Sequence, residues 1–333
     1  MSDLNKNYYE KITFRDALRL AIHDSMQEDE KIIVMGEDVA AYGGAYGATK
    51  DLLKLFGPKR IIDTPISEAA IVGASMGAAL TGLRPIAELM YVDFFGMSMD
   101  QIANQLAKVR YMFGGQINAP MILRAQGGTG RSAGAQHSQS LETWIMHTPG
   151  LYLSIPYTPN DAYHLLRAAL KINNPTIFIE HKLLYNTSGV LDKNNPDQIF
   201  GKAKIRKKGK DLSIISYSRM VNFAEKAAEE LAKQKIDVEV VDLRTLNPLD
   251  RETIIESVNK TKRALVLSES CYTAGVPSEI TSIIFEHCYT NLLKPVIRYT
   301  AEDTPAPVAP NLEENYIPTI EKIVEYSKKL CKY

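Results

Sequence analysis

Between about residue 30 and residue 181, short apolar runs alternate with longer stretches whose apolar positions recur at helical spacing. The runs KIIVMGED (31–38), KRIID (59–63), RPIAEL (84–89), APMILRAQ (119–126), LYLSIP (151–156) and PTIFIEH (175–181) are rich in Ile, Val and Leu. Such runs predict strands buried on both faces. The spacing predicts helices between them over 67–81, 96–111, 138–147 and 159–171. Strand and helix in alternation predict a mainly parallel sheet with helices on both faces. Several strands end on polar residues, at Glu37–Asp38, Asp63, Glu88 and Arg124. Ligands of such sheets gather beyond the strand C-termini.

The polar stretch NTSGVLDKNNPDQIFG (186–201), with Gly, Pro and paired Asn, predicts a linker. The alternation then resumes with DLSIISYS, the helix VNFAEKAAEELAKQK, DVEVVDL, RALVLSES and KPVIRY. A second, smaller α/β domain follows from it. Its reactive side chains are few, chiefly Glu269 and His287, so the active groups are expected in the first domain.

The segment DTPISEAAIVGASMGAALTGL (63–83) carries one carboxylate, Glu68, at the start of an otherwise uncharged helix. Ser67 is placed to cap that helix, and the helix dipole favours an acid in its first turn. Gly73 and Gly77, with Ala74 and Ala78 beside them, leave one face nearly bare, so a second helix or a flat ligand can come close. An acid at the edge of a dry, tightly packed place acquires altered proton affinity.

Composition narrows the class. The 333 residues suffice for two domains. Acidic and basic residues balance at 39 each, which gives no steering toward nucleic acid or an anionic membrane. Cys271, Cys288 and Cys331 have no C-x-x-C spacing, as expected of a reducing compartment without a zinc site. The polar start MSDLNKNYYEKITF lacks an apolar signal core, and the uncharged run 69–83 is too short to span a bilayer. A soluble, cytoplasmic protein is expected.

The Gly-rich stretch QGGTGRSAGAQHSQS contains Gly128-x-Gly130-x-x-Ala133, formally a dinucleotide fingerprint. That fingerprint also requires an acid at the end of the next strand, and LYLSIP ends on Pro156 without one. A loop that carries a functional side chain fits better, and His137 is that side chain. It is either a structurally satisfied histidine or an acid, base or charge-stabilising donor. His147 reads as structural, closing its helix before Pro149, and His181 lies at a strand end. In ELMYVDFFGMSMDQIANQLAKVRYMFGG, the amides and aromatics read as core and subunit interface, or Phe94 or Phe95 walls a flat ligand.

GEDVAAYGGAYGATKDL, RIIDTPISEAAIVG, GLRPIAELMYVDF, AQHSQSLE, HTPGLYLSIPYTPNDA, NPTIFIEHKLLY and VDLRTLNPLD together resemble one family. It is the β subunit of the thiamine-diphosphate decarboxylase component of 2-oxo acid dehydrogenase complexes. The similarity runs from about residue 10 to the C-terminus. It implies a transketolase-like pair of α/β domains: a pyrimidine-binding domain (1–187), a linker (188–201) and a C-terminal domain (202–333). Glu68 then matches the acid that hydrogen-bonds N1′ of the cofactor's aminopyrimidine and favours its imino tautomer. Such a role needs a carboxyl whose proton affinity is raised in a dry site. Glu37 matches a second carboxylate near the first. Phe94 matches an aromatic packed on the pyrimidine, and Met90 stands where some relatives line that pocket with glutamine. His137 matches the histidine implicated in acyl transfer to a lipoyl arm. A structural potassium ion is implied at Met121, Ala169, Leu170, Ile172 and Asn174, although Ile172 stands where several relatives have an acid.

The chain contains no Gly-Asp-Gly, the start of the motif that holds Mg²⁺ and diphosphate in such proteins; paired asparagines occur at 173–174 and 194–195. The resemblance therefore implies that an α subunit binds Mg²⁺ and completes the site in an α₂β₂ assembly served by a lipoyl acyltransferase. ELMY, where branched-chain members more often have EIQF, favours pyruvate or acetoin as substrate. The alternatives are a branched-chain 2-oxo acid dehydrogenase subunit, a self-sufficient transketolase-like enzyme acting on sugar phosphates, or a non-catalytic partner of the same fold. The missing diphosphate motif argues against the second of these. Glu68 and His137 together argue against the third.

Overall fold

Each apolar run forms a strand, and a helix follows most of these runs. In the computed structural model, residues 6–194 and 200–332 are described. The chain separates into an N-terminal unit (1–127 with 144–200) and a C-terminal unit (128–143 with 201–333). The N-terminal unit begins with β1 (Tyr8–Thr13) and α1 (Phe14–Glu28). Thr13 caps α1, its Oγ1 accepting the Asp16 N–H at 3.1 Å. Then come β2 (Ile32–Gly36), α2 (Leu52–Phe56), β3 (Ile61–Asp63), α3 (Glu68–Leu80) and β4 (Arg84–Leu89). They are followed by α4 (Phe95–Met99), α5 (Val109–Met112), β5 (Ile122–Gly127) and α6 (Glu142–Met146). The unit closes with β6 (Tyr152–Ser154), α7 (Pro159–Leu170), β7 (Thr176–His181) and β8 (Ser188–Asp192). Thr158 and Asp161 form a reciprocal capping box at the start of α7.

Six strands of this unit lie in the order β6-β7-β5-β4-β2-β3, with parallel pairing throughout. Register pairs Glu88 with Arg124 and Gln126 with Glu180, so charged residues of three neighbouring strands meet. Phe14, Leu18, Ile22, Val34, Ile86 and Phe178 belong to its buried core.

The C-terminal unit comprises β9 (Lys204–Lys207), β10 (Leu212–Ser216), α8 (Met220–Ala232), β11 (Val238–Asp242), β12 (Thr245–Asn247) and α9 (Arg251–Thr261). It continues with β13 (Ala264–Cys271), α10 (Val276–Cys288), β14 (Ile297–Ala301), α11 (Pro310–Tyr316) and α12 (Ile320–Cys331). Its five-stranded sheet runs β14-β13-β10-β11-β9, parallel except for β9.

Four local features differ from the sequence reading. Residues 96–111 do not form one α-helix, because the π-helical turn Asp100–Leu106 interrupts them between α4 and α5. The helix expected over 138–147 is only Glu142–Met146. Ser67 stands at the N-cap of α3, but its side chain makes no capping hydrogen bond. The stretch read as a linker contains β8, which pairs antiparallel with β1; its residues 195–199 lie outside the described ones.

Candidate active site

Glu37, Glu68, Met90 and Phe94 all belong to the N-terminal unit. Glu37 directly follows β2, and Gly36 before it has no room for a side chain. A β-carbon there would sit 2.6 Å from the Glu88 carbonyl oxygen, so the β2–β4 approach that aims Glu37 depends on glycine. Glu37 is only 8 % exposed, and its Oε1 has no hydrogen-bond partner among the described residues. Burial pushes its carboxyl above the usual carboxylate range, and the nearby charges of Glu68, Asp38 and Glu88 push it the same way. Glu68 is the first residue of α3 and half-buried. Phe94 and Met90 are half-buried after β4, and the Met90–Tyr91 peptide is cis. Asp63 is a clamp for the neighbouring loop, its carboxylate accepting the Ala40 and Ala41 N–H groups at 2.6 and 3.2 Å.

The bare face of α3 is used on one side only. Gly73 lies against the π-helical turn, a β-carbon there meeting Gln101 Cγ at 3.7 Å, whereas one at Gly77 would meet nothing within 4 Å. Ala70, Ala74 and Gly77 are exposed in the chain by itself, as are Ile66, Met97, Met112 and Phe113.

Behind Glu37 lies a charged network whose assembly the sequence reading missed. Fully buried Arg124 donates to Glu180 through Nε (2.6 Å) and Nη2 (2.7 Å), and to Glu88 through Nη1 (2.6 Å). Gln126 Nε2 donates to Glu88 at 3.0 Å, and the Tyr185 hydroxyl donates to Glu180. Burial opposes the Arg124 charge, but the two carboxylates outweigh it and hold its pKa above the ordinary value. Tyr185 stacks on Tyr46 with centroids 4.5 Å apart, and Lys182 pairs with Asp93 at 3.9 Å beneath the Tyr91 ring. The only sequence signal was polar residues at strand ends.

His137 is elsewhere in the fold. Its loop (128–143) packs with the C-terminal unit, although it lies within the first domain's stretch of the sequence. The Gly128 N–H donates to the Gln139 carbonyl at 3.0 Å, closing the loop at its base, and the His137 N–H donates to the Gly134 carbonyl at 3.2 Å. Gly128, Gly130, Ser132 and Gly134 all have positive φ, an alternation that turns several of the loop's N–H groups inward. The inward groups meet carboxylates of the same unit. Glu269 Oε2 accepts from the Thr129 N–H and Oγ1, each at 3.2 Å, and Glu269 Oε1 accepts from Arg219 at 3.2 Å. Glu313 accepts the Gly130 N–H at 2.7 Å and the Ser132 N–H at 2.9 Å. The glycines thus serve the protein's own carboxylates instead of a dinucleotide. Glu142, at the loop's end, is buried, and its pKa is raised to about 7 by burial, with Glu269 adding to the effect. A cavity of about 390 Å³ lined by Ala135, Gln139, Glu269, Cys271, Asp303 and Tyr316 opens beside the loop. His147 and His287 are exposed, and buried His181 accepts the Leu183 N–H at 3.1 Å.

Four of the residues expected to hold potassium have oxygens that already accept hydrogen bonds. Leu170 O accepts from Arg84 Nη1 at 2.7 Å, and Asn174 Oδ1 accepts from Arg110 Nη1 at 2.6 Å. Met121 O accepts the Thr176 N–H at 2.9 Å, and Ala169 O accepts the Ile172 N–H at 3.1 Å. A cation added there would compete with two guanidinium groups for the same oxygens. Among the described residues, no group of three or more His, Cys, Asp or Glu side chains is gathered as a metal site, and no helix is long and apolar enough to cross a membrane.

Two family descriptions match this chain: "Transketolase, pyrimidine binding domain" over residues 10–188 and "Transketolase, C-terminal domain" over residues 201–323. The pyruvate dehydrogenase E1 component subunit beta-1, mitochondrial, of Arabidopsis thaliana is 44 % identical over 325 residues, covering 96 % of this chain and 90 % of its own. The pyruvate dehydrogenase E1 component subunit beta of Rickettsia felis is 42 % identical, covering 97 % and 99 %. Acetoin:2,6-dichlorophenolindophenol oxidoreductase subunit beta of Cupriavidus necator is also 42 % identical, covering 97 % and 98 %. A solved structure described as a split gene transketolase, inactive beta4 tetramer, has a TM-score of 0.80 at 22 % identity over 96 % of this chain and 98 % of that one. That last likeness is one of fold.

Proposed function

This chain belongs to the transketolase-fold family of dehydrogenase E1 β subunits, and from that premise we propose that it is the pyrimidine-binding half of a thiamine-diphosphate enzyme. An α subunit supplies the Mg²⁺-diphosphate half, and the substrate is a small 2-oxo acid, pyruvate first, or acetoin. The observation that carries this reading is the pair Glu37 and Glu68 near the C-terminal ends of β2 and β3, with one buried Glu37 oxygen left without a partner among the described residues. A site of that chemistry suits a basic heterocycle that needs a carboxylic acid beside a ring nitrogen. When bound, thiamine diphosphate supplies a carbanion-stabilising ring for cleavage next to a carbonyl.

Glu68 holds the proton shared with the pyrimidine. Glu37 retains its own proton more readily than an exposed acid, which limits the negative charge gathered next to Glu68. Phe94 offers an aromatic face and Met90 an apolar edge to the flat ring. His137, on the loop of the C-terminal unit, serves the later transfer of the acyl group to a lipoyl dithiolane of an acyltransferase partner. The exposed apolar positions Ile66, Met97, Met112 and Phe113 support burial against a partner subunit. Three free thiols fit work in the cytoplasm.

The test is Glu68→Gln in the chain co-expressed with its α subunit. The amide keeps the shape but cannot carry the proton. Hydrogen–deuterium exchange at the cofactor's reactive carbon is expected to slow by about 10²–10⁴-fold, the usual scale of a general acid or base. Unchanged exchange in an intact assembly removes Glu68 from this role.

A further inference from the structure

The loop that carries His137 is an unusual piece of backbone to hold still. Four of its residues have positive φ, and one of them, Ser132 at 51°, has a β-carbon that disfavours this conformation. Two carboxylates distant in sequence take its N–H groups: Glu269 takes Thr129, and Glu313 takes Gly130 and Ser132. Both acids are nearly buried, at 7 % and 4 % exposure, where such hydrogen bonds are strongest. Glu269 is itself held by Arg219, and Glu313 lies on α11.

We infer that Glu269 and Glu313 are positioning residues for His137, a carboxylate clasp from the C-terminal unit that fixes the loop in place for acyl transfer; the inference rests on the role proposed above for His137. The clasp grips residues 129–132, the loop closes at Gly128–Gln139, and the His137 N–H is tied to Gly134 inside that closure. Removing one acceptor frees the turn and leaves residue 137 a histidine. A glutamine at 313 retains one acceptor oxygen but presents an amine to the second N–H, so one of the two backbone bonds is lost.

The experiment uses the complete assembly, with α subunit and lipoyl acyltransferase, and pyruvate and acetoin as substrates. Glu313→Gln, Glu269→Gln and His137→Ala are each assayed for lipoyl-dependent turnover and for cleavage read with a dye acceptor, and amide exchange is followed across 129–139. The clasp variants are expected to lower lipoyl-dependent kcat about 10–100-fold, the effect of a small misplacement of a reacting group. Dye-linked cleavage stays within about two-fold of the parent, and amide exchange of the loop quickens while the melting temperature holds. Equal losses in both assays with a lowered melting temperature overturn the inference, as does an unchanged lipoyl rate. If Glu313→Gln does not assemble, Glu269→Gln decides by the same readings; failure of both to assemble makes the clasp a folding element and overturns it too. A selective loss in His137→Ala alone overturns the clasp but leaves the proposed function intact. A His137→Ala variant with no selective loss overturns the clasp and the role proposed for His137.

Discussion

Glu142 shows at the residue scale how burial sets proton affinity. Its carboxyl is buried, one oxygen has no hydrogen-bond partner among the described residues, and its pKa rises from 4.5 to about 7. Below about pH 4.5 both folded and unfolded chains hold the proton. From there to about 7 the unfolded chain releases it while the folded one keeps it, so stability falls as pH rises, and above 7 the loss is complete. Glu142→Gln removes this titration. The stability of the variant relative to the parent is expected to grow by on the order of 3 kcal/mol between pH 4.5 and 8. Urea unfolding at several pH values checks it, and a constant difference rules out the buried acid.

Three adjacent strands act together at the level of elements. β4, β5 and β7 contribute Glu88, Arg124 and Glu180, and parallel register makes them neighbours. One guanidinium between two carboxylates, all buried, is a network that tolerates no missing partner. Arg124→Met leaves two carboxylates without their cation and is expected to cost about 3–5 kcal/mol. Denaturant midpoints measure the loss, and adding Glu88→Gln and Glu180→Gln recovers part of it because no unpaired charge is then left. If the triple variant is no better than the single, packing and not charge holds this site. The same register sets Gly36 against Glu88, so the element that stores the charge also aims Glu37.

For the whole molecule, the central expectation is incompleteness. In the proposed function the chain meets a pyrimidine with acids and an aromatic, but it has no Gly-Asp-Gly to hold a metal-bound diphosphate. Charged phosphates bind tightly only where cations or N–H groups meet them. Calorimetry of the isolated chain is therefore expected to show no tight binding of thiamine diphosphate with Mg²⁺, and titration of the same chain with an α subunit present is expected to show it. Tight, Mg²⁺-dependent binding by the isolated chain refutes the division of the site between subunits.

The sequence by itself determined what is encoded within a few residues of each position. Apolar runs marked the strands, with RPIAEL coinciding with Arg84–Leu89, and a lone acid opening an uncharged helix marked Glu68. The glycines of 128–134 announced a special turn, and a missing acid after LYLSIP argued against a dinucleotide. Tertiary structure alone decided what that turn is for, because the carboxylates that fill it come from 140 and 183 residues away. It also decided that Arg124 joins a partner 56 residues on, and that the helix expected over 96–111 is interrupted by a π-turn. Periodicity reports which face of an element is dry. Only the folded chain determines which charges share that dryness, since burial and Coulomb energy depend on distance in space and not along the chain.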